Sequence, residues 1–231
     1  MSTQQQQLLL DLKPAQPPTM ENFVAGANAE LVARLHMLAD TRHFDAIYLW
    51  GPPGCGKSHL LAATAAAAEA QRQVIYMSAE KFGAGVTAGS GSLLVIDDVQ
   101  HLDADAQSAL FRMFNAARFL GLALLLSGDV PPLRLALRED LRTRIGQMLI
   151  YEIKALSDEE KAAALEHHAT LRGMLMDAGV VQYLLRHGRR DLPSLIGMLN
   201  SLDRASLEQH RPPTVPLLRE LMQTPLDIDA P

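Results

Sequence analysis

Eight consecutive residues, Gly51-Pro52-Pro53-Gly54-Cys55-Gly56-Lys57-Ser58, have the types and spacing that hold phosphate. The pattern reads G-x-x-x-x-G-K-S and stands between an apolar run at 46–50 and a stretch of strong helix formers at 57–70. A strand before and a helix after are what such a loop requires. Its glycines let backbone N–H groups turn inward as a nest around a β-phosphate. The helix start adds the positive end of its dipole. Lys57 can reach β- and γ-phosphates, and the Ser58 hydroxyl suits Mg²⁺. From average residue usage, the bare pattern arises by chance in about 1% of chains of this length. The expected ligand is a nucleoside di- or triphosphate with Mg²⁺. Cys55 fills a variable position, where a backbone N–H aimed at phosphate is expected and a redox role is the alternative.

A second chemical cluster lies downstream. Asp97-Asp98 closes the apolar run Leu93-Leu94-Val95-Ile96. In open parallel sheets ligands sit beyond the carboxyl ends of the strands. Asp97 is therefore expected to hold Mg²⁺, and Asp98 to orient or deprotonate an attacking water. The plain alternative is a turn or helix-capping aspartate. A base is more often Glu here, and the shorter Asp98 implies slow hydrolysis. Ser127-Gly128-Asp129 ends another apolar run, where Asp129 can sense a γ-phosphate or orient water; simple turn chemistry before Pro131-Pro132 is the alternative. Arg142, Arg144 and Arg190 follow, each read in isolation as a solvated surface residue.

The elements that would position these residues alternate. Strands are expected at 46–50, 73–77, 93–96, 122–126 and 148–153. Helices are expected at 28–40, 57–70 and 104–120, with two short ones in 133–145. Alternation of this kind implies an α/β fold with a parallel sheet of five strands and right-handed crossovers. After residue 155 the pattern turns all-helical. Ser157-Asp158-Glu159-Glu160 reads as a capping box, and three or four helices follow. The expected division is a tail at 1–20, a nucleotide-binding domain at 21–155, a small helical domain at 156–222 and a frayed end at 223–231.

Composition narrows the function classes. The 231 residues are 48% hydrophobic and 5% aromatic, so a helix-rich core is expected. The net charge of −5 disfavours strong direct DNA binding, which needs clustered Lys and Arg, although a local basic patch stays open. Cys55 is the single cysteine, so no internal disulfide forms, which fits a reducing cytosol. No apolar run approaches the ~20 residues of a membrane span, and no basic segment precedes Leu8-Leu9-Leu10 as in a signal peptide.

The order of motifs (phosphate loop, Asp-Asp, polar strand tip, Arg, helical domain with Arg) resembles the AAA+ ATPases, whose P-loop domain is followed by a small all-helical lid. Within them it is similar to the initiator branch around DnaA. The segment 21–28 resembles that branch's opening, in which Phe23, Val24 and Asn28 would line an adenine pocket. Tyr48-Leu49-Trp50-Gly51, Lys57-Ser58-His59-Leu60-Leu61 and 127–132 also look like this group. The resemblance covers about residues 20–222 and implies ADP or ATP as ligand. It adds His59 to the cradle of Pro53, Gly54, Cys55, Gly56, Lys57 and Ser58. Arg144 falls at its arginine-finger position, with Arg142 as neighbour, and Arg190 at the lid sensor.

Three departures separate the chain from an initiator. It ends where an initiator would enter a helix-turn-helix domain, it lacks the N-terminal assembly domain, and only 78–92 join the second and third strands. Such a module resembles the Hda family of DnaA-related inactivators. Stretches at 48–50, 156–161, 171–173 and 202–206 look like that family. Gln7, Leu8, Leu10 and Leu12 resemble its sliding-clamp-binding motif, a peptide that orders on docking into an apolar groove. The resemblance implies a cytoplasmic negative regulator of replication initiation, brought to the nucleoid by the DNA polymerase sliding clamp. It would have weak or no ATPase activity alone and would promote hydrolysis of DnaA-bound ATP. A self-sufficient AAA+ ATPase such as a helicase loader is the alternative, and a nucleotide-gated adaptor without hydrolysis is a third. An arginine finger works only at an interface, so homo-oligomerisation stays open.

Overall fold

The computed structural model describes residues 17–177 and 179–223. The chain divides into two compact units, one running from Pro18 to Leu156 and one beginning at Ser157. The expected tail motif at Gln7, Leu8, Leu10 and Leu12 and the expected frayed end after Gln223 lie outside the described residues.

The first unit is built on a five-stranded sheet, β1 (Ala46–Trp50), β2 (Val74–Ser78), β3 (Leu93–Asp97), β4 (Ala123–Gly128) and β5 (Leu149–Glu152). The strand order is β2-β3-β4-β1-β5, with all four pairings parallel. Successive residues of a strand point to opposite faces, and two cores follow from that alternation. Tyr48, Leu94, Ile96, Leu124 and Leu126 face one side, under α3 (Ala104–Leu120) and α4 (Glu139–Gly146). Ile47, Leu49, Leu93, Val95 and Leu125 face the other, under α1 (Ala29–Ala39) and α2 (Lys57–Ala68). A strand covered on both faces needs unbroken apolar sequence, which is why β3 and β4 are buried throughout. The edges are less covered: Tyr76 on β2 and Leu149 and Ile150 on β5 are exposed.

Because β4 lies between β1 and β3, the loop after β1 and the tips of β3 and β4 stand in one row at the carboxyl edge. The chain reverses its direction of travel across the sheet there, which is where α/β sheets bind ligands.

Two expectations need correction. The helix after the phosphate loop ends at Ala68 rather than 70. The N–H groups of Gln71 and Arg72 both donate to the Ala68 carbonyl, which turns the chain there. The segment 133–145 holds one α-helix, not two: a 3-10 turn at Pro132–Arg134 precedes α4. The two prolines hold the start extended, with Pro131 at ψ 155, and the turn is too short to propagate.

Among the described residues the second unit holds four helices, α5 (Asp158–Arg172), α6 (Gly179–His187), α7 (Leu192–Gln209) and α8 (Val215–Gln223). The Glu160 N–H donates to Ser157 Oγ at 3.2 Å, and the Ser157 N–H donates to Glu160 Oε2 at 2.8 Å, the reciprocal pair of a capping box. Asp191 caps α7 by accepting from the Ser194 N–H at 2.9 Å. Leu165, Leu184, Leu195, Leu199, Leu202 and Leu218 form its apolar core. Among the described residues no helix is long and apolar enough to cross a membrane.

Candidate functional site

The loop between β1 and α2 carries Gly54 at φ 77 and Gly56 at φ 102, left-handed values that favour glycine. A Cβ on Gly56 would also lie 2.7 Å from Phe23 Cε2, so the backbone and the aromatic ring meet there at closest approach. Pro53, Gly54 and Ser58 are exposed on the loop, and Cys55 is half-buried. The Cys55 N–H, expected to face a phosphate, donates to the Pro52 carbonyl at 3.3 Å, a long bond within the loop.

Lys57 is buried at the first position of α2. Its Nζ donates to Gly51 O at 2.9 Å, Pro52 O at 3.4 Å and Asp129 Oδ1 at 2.8 Å. An ammonium has three hydrogens, so three acceptors use them all. The partner Asp129 stands just beyond β4, directly beside the loop because β4 pairs with β1 through Trp50↔Gly128.

The tips of β3 and β4 are locked together. Ser127 Oγ donates to the buried Asp97 carboxylate and accepts from the Asp98 N–H at 2.9 Å. Asp98 itself has φ 57 and ψ 54, a conformation few non-glycine residues adopt. Aspartate tolerates it better than most residues. The turn aims Asp98 away from the strand and opens a 3-10 turn at Val99–His101. Gln100 on that turn donates from Nε2 to Asp98 Oδ1 at 3.2 Å and to Asp129 Oδ2 at 3.1 Å. The structure thus joins Lys57, Asp129, Asp98 and Asp97 through Ser127, part of the polar strand tip expected above, and Gln100, which no sequence motif marks. Only the pairing of β3 with β4 reveals these contacts.

Phe23 and His59 pack with ring centroids 5.5 Å apart, and His59 Nε2 lies 2.9 Å from the Thr19 carbonyl. This ties the segment before α1 to the start of α2. Val24 is half-buried. Asn28 is buried, and its amide closes a ring with one backbone position: Nδ2 donates to Lys154 O at 3.0 Å, and the Lys154 N–H donates to Oδ1 at 2.7 Å. Asn28 therefore anchors the chain just after β5.

Arg144 stands apart from this network. It is exposed in the last turn of α4, with Nη2 donating to Asn115 Oδ1 at 3.2 Å and its guanidinium 5.9 Å over the Phe111 ring. Arg142 is half-buried on the same helix. Arg190 belongs to the second unit, exposed one residue ahead of the α7 cap.

Burial pushes the Cys55 thiol up, against the opposing pull of Lys57, so it stays protonated near neutrality. That favours a packing role over thiolate chemistry. Burial and the charges of Asp129 and Asp98 likewise push the Tyr48 phenol up. Its hydroxyl donates to the Val130 carbonyl at 2.7 Å, bracing the chain beyond Asp129. Among the described residues no three His, Cys, Asp or Glu side chains gather closely enough to hold a metal. A Mg²⁺ ion bound with nucleotide needs only one or two protein oxygens and keeps several waters. Ser58 is exposed at the start of α2, and the Asp97 carboxylate is buried at the end of β3, where it accepts from Ser127 Oγ; both are oxygen donors of the kind Mg²⁺ takes.

Two family models match. That for the bacterial DnaA ATPase domain matches residues 15–89, and that for the lid domain of Hda matches residues 158–222. Solved structures of similar fold include a replication initiator DnaA bound to AMPPCP and single-stranded DNA, with TM-score 0.70 and 22% identity over 85% of this chain and 69% of that one. Domain III of Thermotoga maritima DnaA gives TM-score 0.71 and 19% identity over 91% and 99%. A Thermotoga maritima RuvB mutant gives 0.73 and 18% over 93% and 75%. The α/β fold is therefore the AAA+ fold.

Proposed function

We propose that the chain, similar over 15–89 to the DnaA ATPase domain and over 158–222 to the Hda lid, is a DnaA- and Hda-related AAA+ protein and a negative regulator of chromosomal replication initiation. It binds ADP or ATP, is tethered to the DNA-loaded sliding clamp by its N-terminal motif, and promotes hydrolysis of ATP held by DnaA. The observation that carries this reading is the presence in one chain of a match to the DnaA ATPase domain and a match to the Hda lid.

An adenine nucleotide is favoured by two solved DnaA relatives bound to AMPPCP. The loop's backbone would wrap the β-phosphate, Lys57 would exchange Asp129 for phosphate oxygen, and Phe23, Val24 and His59 would border the base. Asn28 would act from behind by fixing the neighbouring chain at Lys154. Ser58 and Asp97 would hold Mg²⁺, which neutralises charge on the phosphate oxygens. Asp98 and Asp129 would orient water, with weak turnover.

Arg144 suits action on a partner. It is exposed yet splinted by Asn115 and Phe111, so its guanidinium is presented at the surface at reduced entropic cost. An arginine supplied across an interface is worth roughly 10³–10⁵ in rate. The test is hydrolysis of DnaA-bound ATP with clamp and DNA, comparing intact protein with Gln7→Ala and Arg144→Ala. Both variants are expected to lose most of the stimulation. Equal hydrolysis with and without the intact protein would remove the reading, and substantial turnover by the protein alone, lost in Lys57→Ala, would support a self-sufficient ATPase instead.

A further inference from the structure

We propose that Gln100 is a positioning residue that binds the Asp98 and Asp129 carboxylates into one unit, so that phosphate capture by Lys57 is relayed to Asp98. This rests on the nucleotide-binding reading above and deepens it. The geometry begins with the amide. Nε2 lies within hydrogen-bond distance of both carboxylates, 3.2 Å from Asp98 Oδ1 and 3.1 Å from Asp129 Oδ2. Ionised carboxylates only accept. The NH₂ end must therefore face them, and the orientation of the amide is fixed by chemistry. The other end, Oε1, is buried without a hydrogen-bond partner. Leaving a buried acceptor unpaired is costly, so holding the two acids outweighs satisfying that oxygen.

The relay continues to Lys57. All three ammonium hydrogens have acceptors, two of them loop carbonyls and the third Asp129. A phosphate oxygen can enter only by displacing one. The carbonyls of Gly51 and Pro52 belong to the turn that forms the loop, whereas the Asp129 side chain is 39% exposed and can rotate away. Asp129 is thus the group that yields, and its second oxygen carries Gln100 with it. At the far end, the Asp98 backbone is fixed by Ser127 Oγ. What remains adjustable there is the carboxylate, and its Oδ1 is the atom that Gln100 holds. Occupancy of the phosphate loop therefore resets the carboxylate expected to orient water.

The test is a double-mutant cycle. Affinity for Mg·ADP or Mg·ATP, whichever the wild-type chain binds more tightly, is measured by titration calorimetry for Asp98→Asn, Asp129→Asn and the double variant. The set is repeated in a Gln100→Ala background and in the similarly sized, uncharged Gln100→Met background, which keeps most of the packing and loses the bridging NH₂. With Gln100 present, the double variant is expected to depart from the product of the single effects by roughly threefold or more. In both altered backgrounds the effects should multiply. A general loss of stability would not move this ratio. Coupling of equal size in all three backgrounds, or none with Gln100 present, would overturn the proposal and leave nucleotide binding standing. A wild-type chain that binds neither nucleotide would overturn both.

Discussion

Lys57 and Arg144 are both cations proposed to act on phosphate, yet the fold holds them in opposite ways. The Lys57 side chain is 7% exposed and has an acceptor for every ammonium hydrogen. Arg144 is exposed, with one hydrogen bond and one ring beneath it. Lys57 also belongs to a network spanning two strand tips, while Arg144 leans on a single neighbouring helix. A cation that serves the chain's own ligand can be buried and pre-paired, because the ligand arrives at a site the fold completes. A cation that serves a partner must stay at the surface with few commitments. The contrast predicts that the two can be separated by mutation.

The largest expected effect is at the buried cation. Lys57→Ala removes a charge-assisted donor and leaves Asp129 without its partner, so nucleotide affinity should fall about 10- to 100-fold. Calorimetry on the same day's Arg144→Ala protein should give a Kd within about twofold of wild type, given the modest worth of an exposed cation. Comparable losses in both would break the contrast. A smaller effect sharpens the role of the strand tips. A Cβ on Gly128 would overlap the Tyr48 hydroxyl and disrupt its bond to Val130. Gly128→Ala should therefore destabilise the first unit by about 1–3 kcal/mol in chemical denaturation, and Tyr48→Phe by about 1 kcal/mol.

In the second unit, Ser157→Ala removes the cap of α5 and should cost about 1 kcal/mol. A change above that would mean the capping box supports more than its helix. The weakest effect is kinetic. Because burial raises the Cys55 pKa, thiolate is scarcer than in free cysteine at any pH below the raised value. Iodoacetamide should alkylate Cys55 more slowly than free cysteine at pH 8, with the rate climbing as pH rises further. Faster alkylation would identify an activated thiol and return the redox alternative.

What could be read in the sequence was local. β1 and α3 lie where the apolar runs and helix formers place them, at Ala46–Trp50 and Ala104–Leu120. The capping box at Ser157 is likewise written in four adjacent residues. The phosphate loop, the Asp-Asp pair and the polar end of β4 were visible as motifs because each sits at a strand end. The contacts that join them were not visible. Gln100 and Ser127 owe their roles to the β3–β4 pairing, and Asn28 meets Lys154 across 126 positions. No periodicity encodes a contact of that range. The single helix at 139–146 was misread as two because a double proline resembles a break between helices, whereas here it only delays one.

The central claim, that this chain's own nucleotide site and its action on DnaA are separable, is tested most directly by one paired measurement. Hydrolysis of DnaA-bound ATP on clamp-loaded DNA and nucleotide Kd are recorded on the same Arg144→Ala preparation. The account predicts a Kd within about twofold of wild type together with loss of most of the stimulated hydrolysis. Undiminished stimulation by Arg144→Ala, or a loss of stimulation matched by an equal loss of nucleotide affinity, would contradict it.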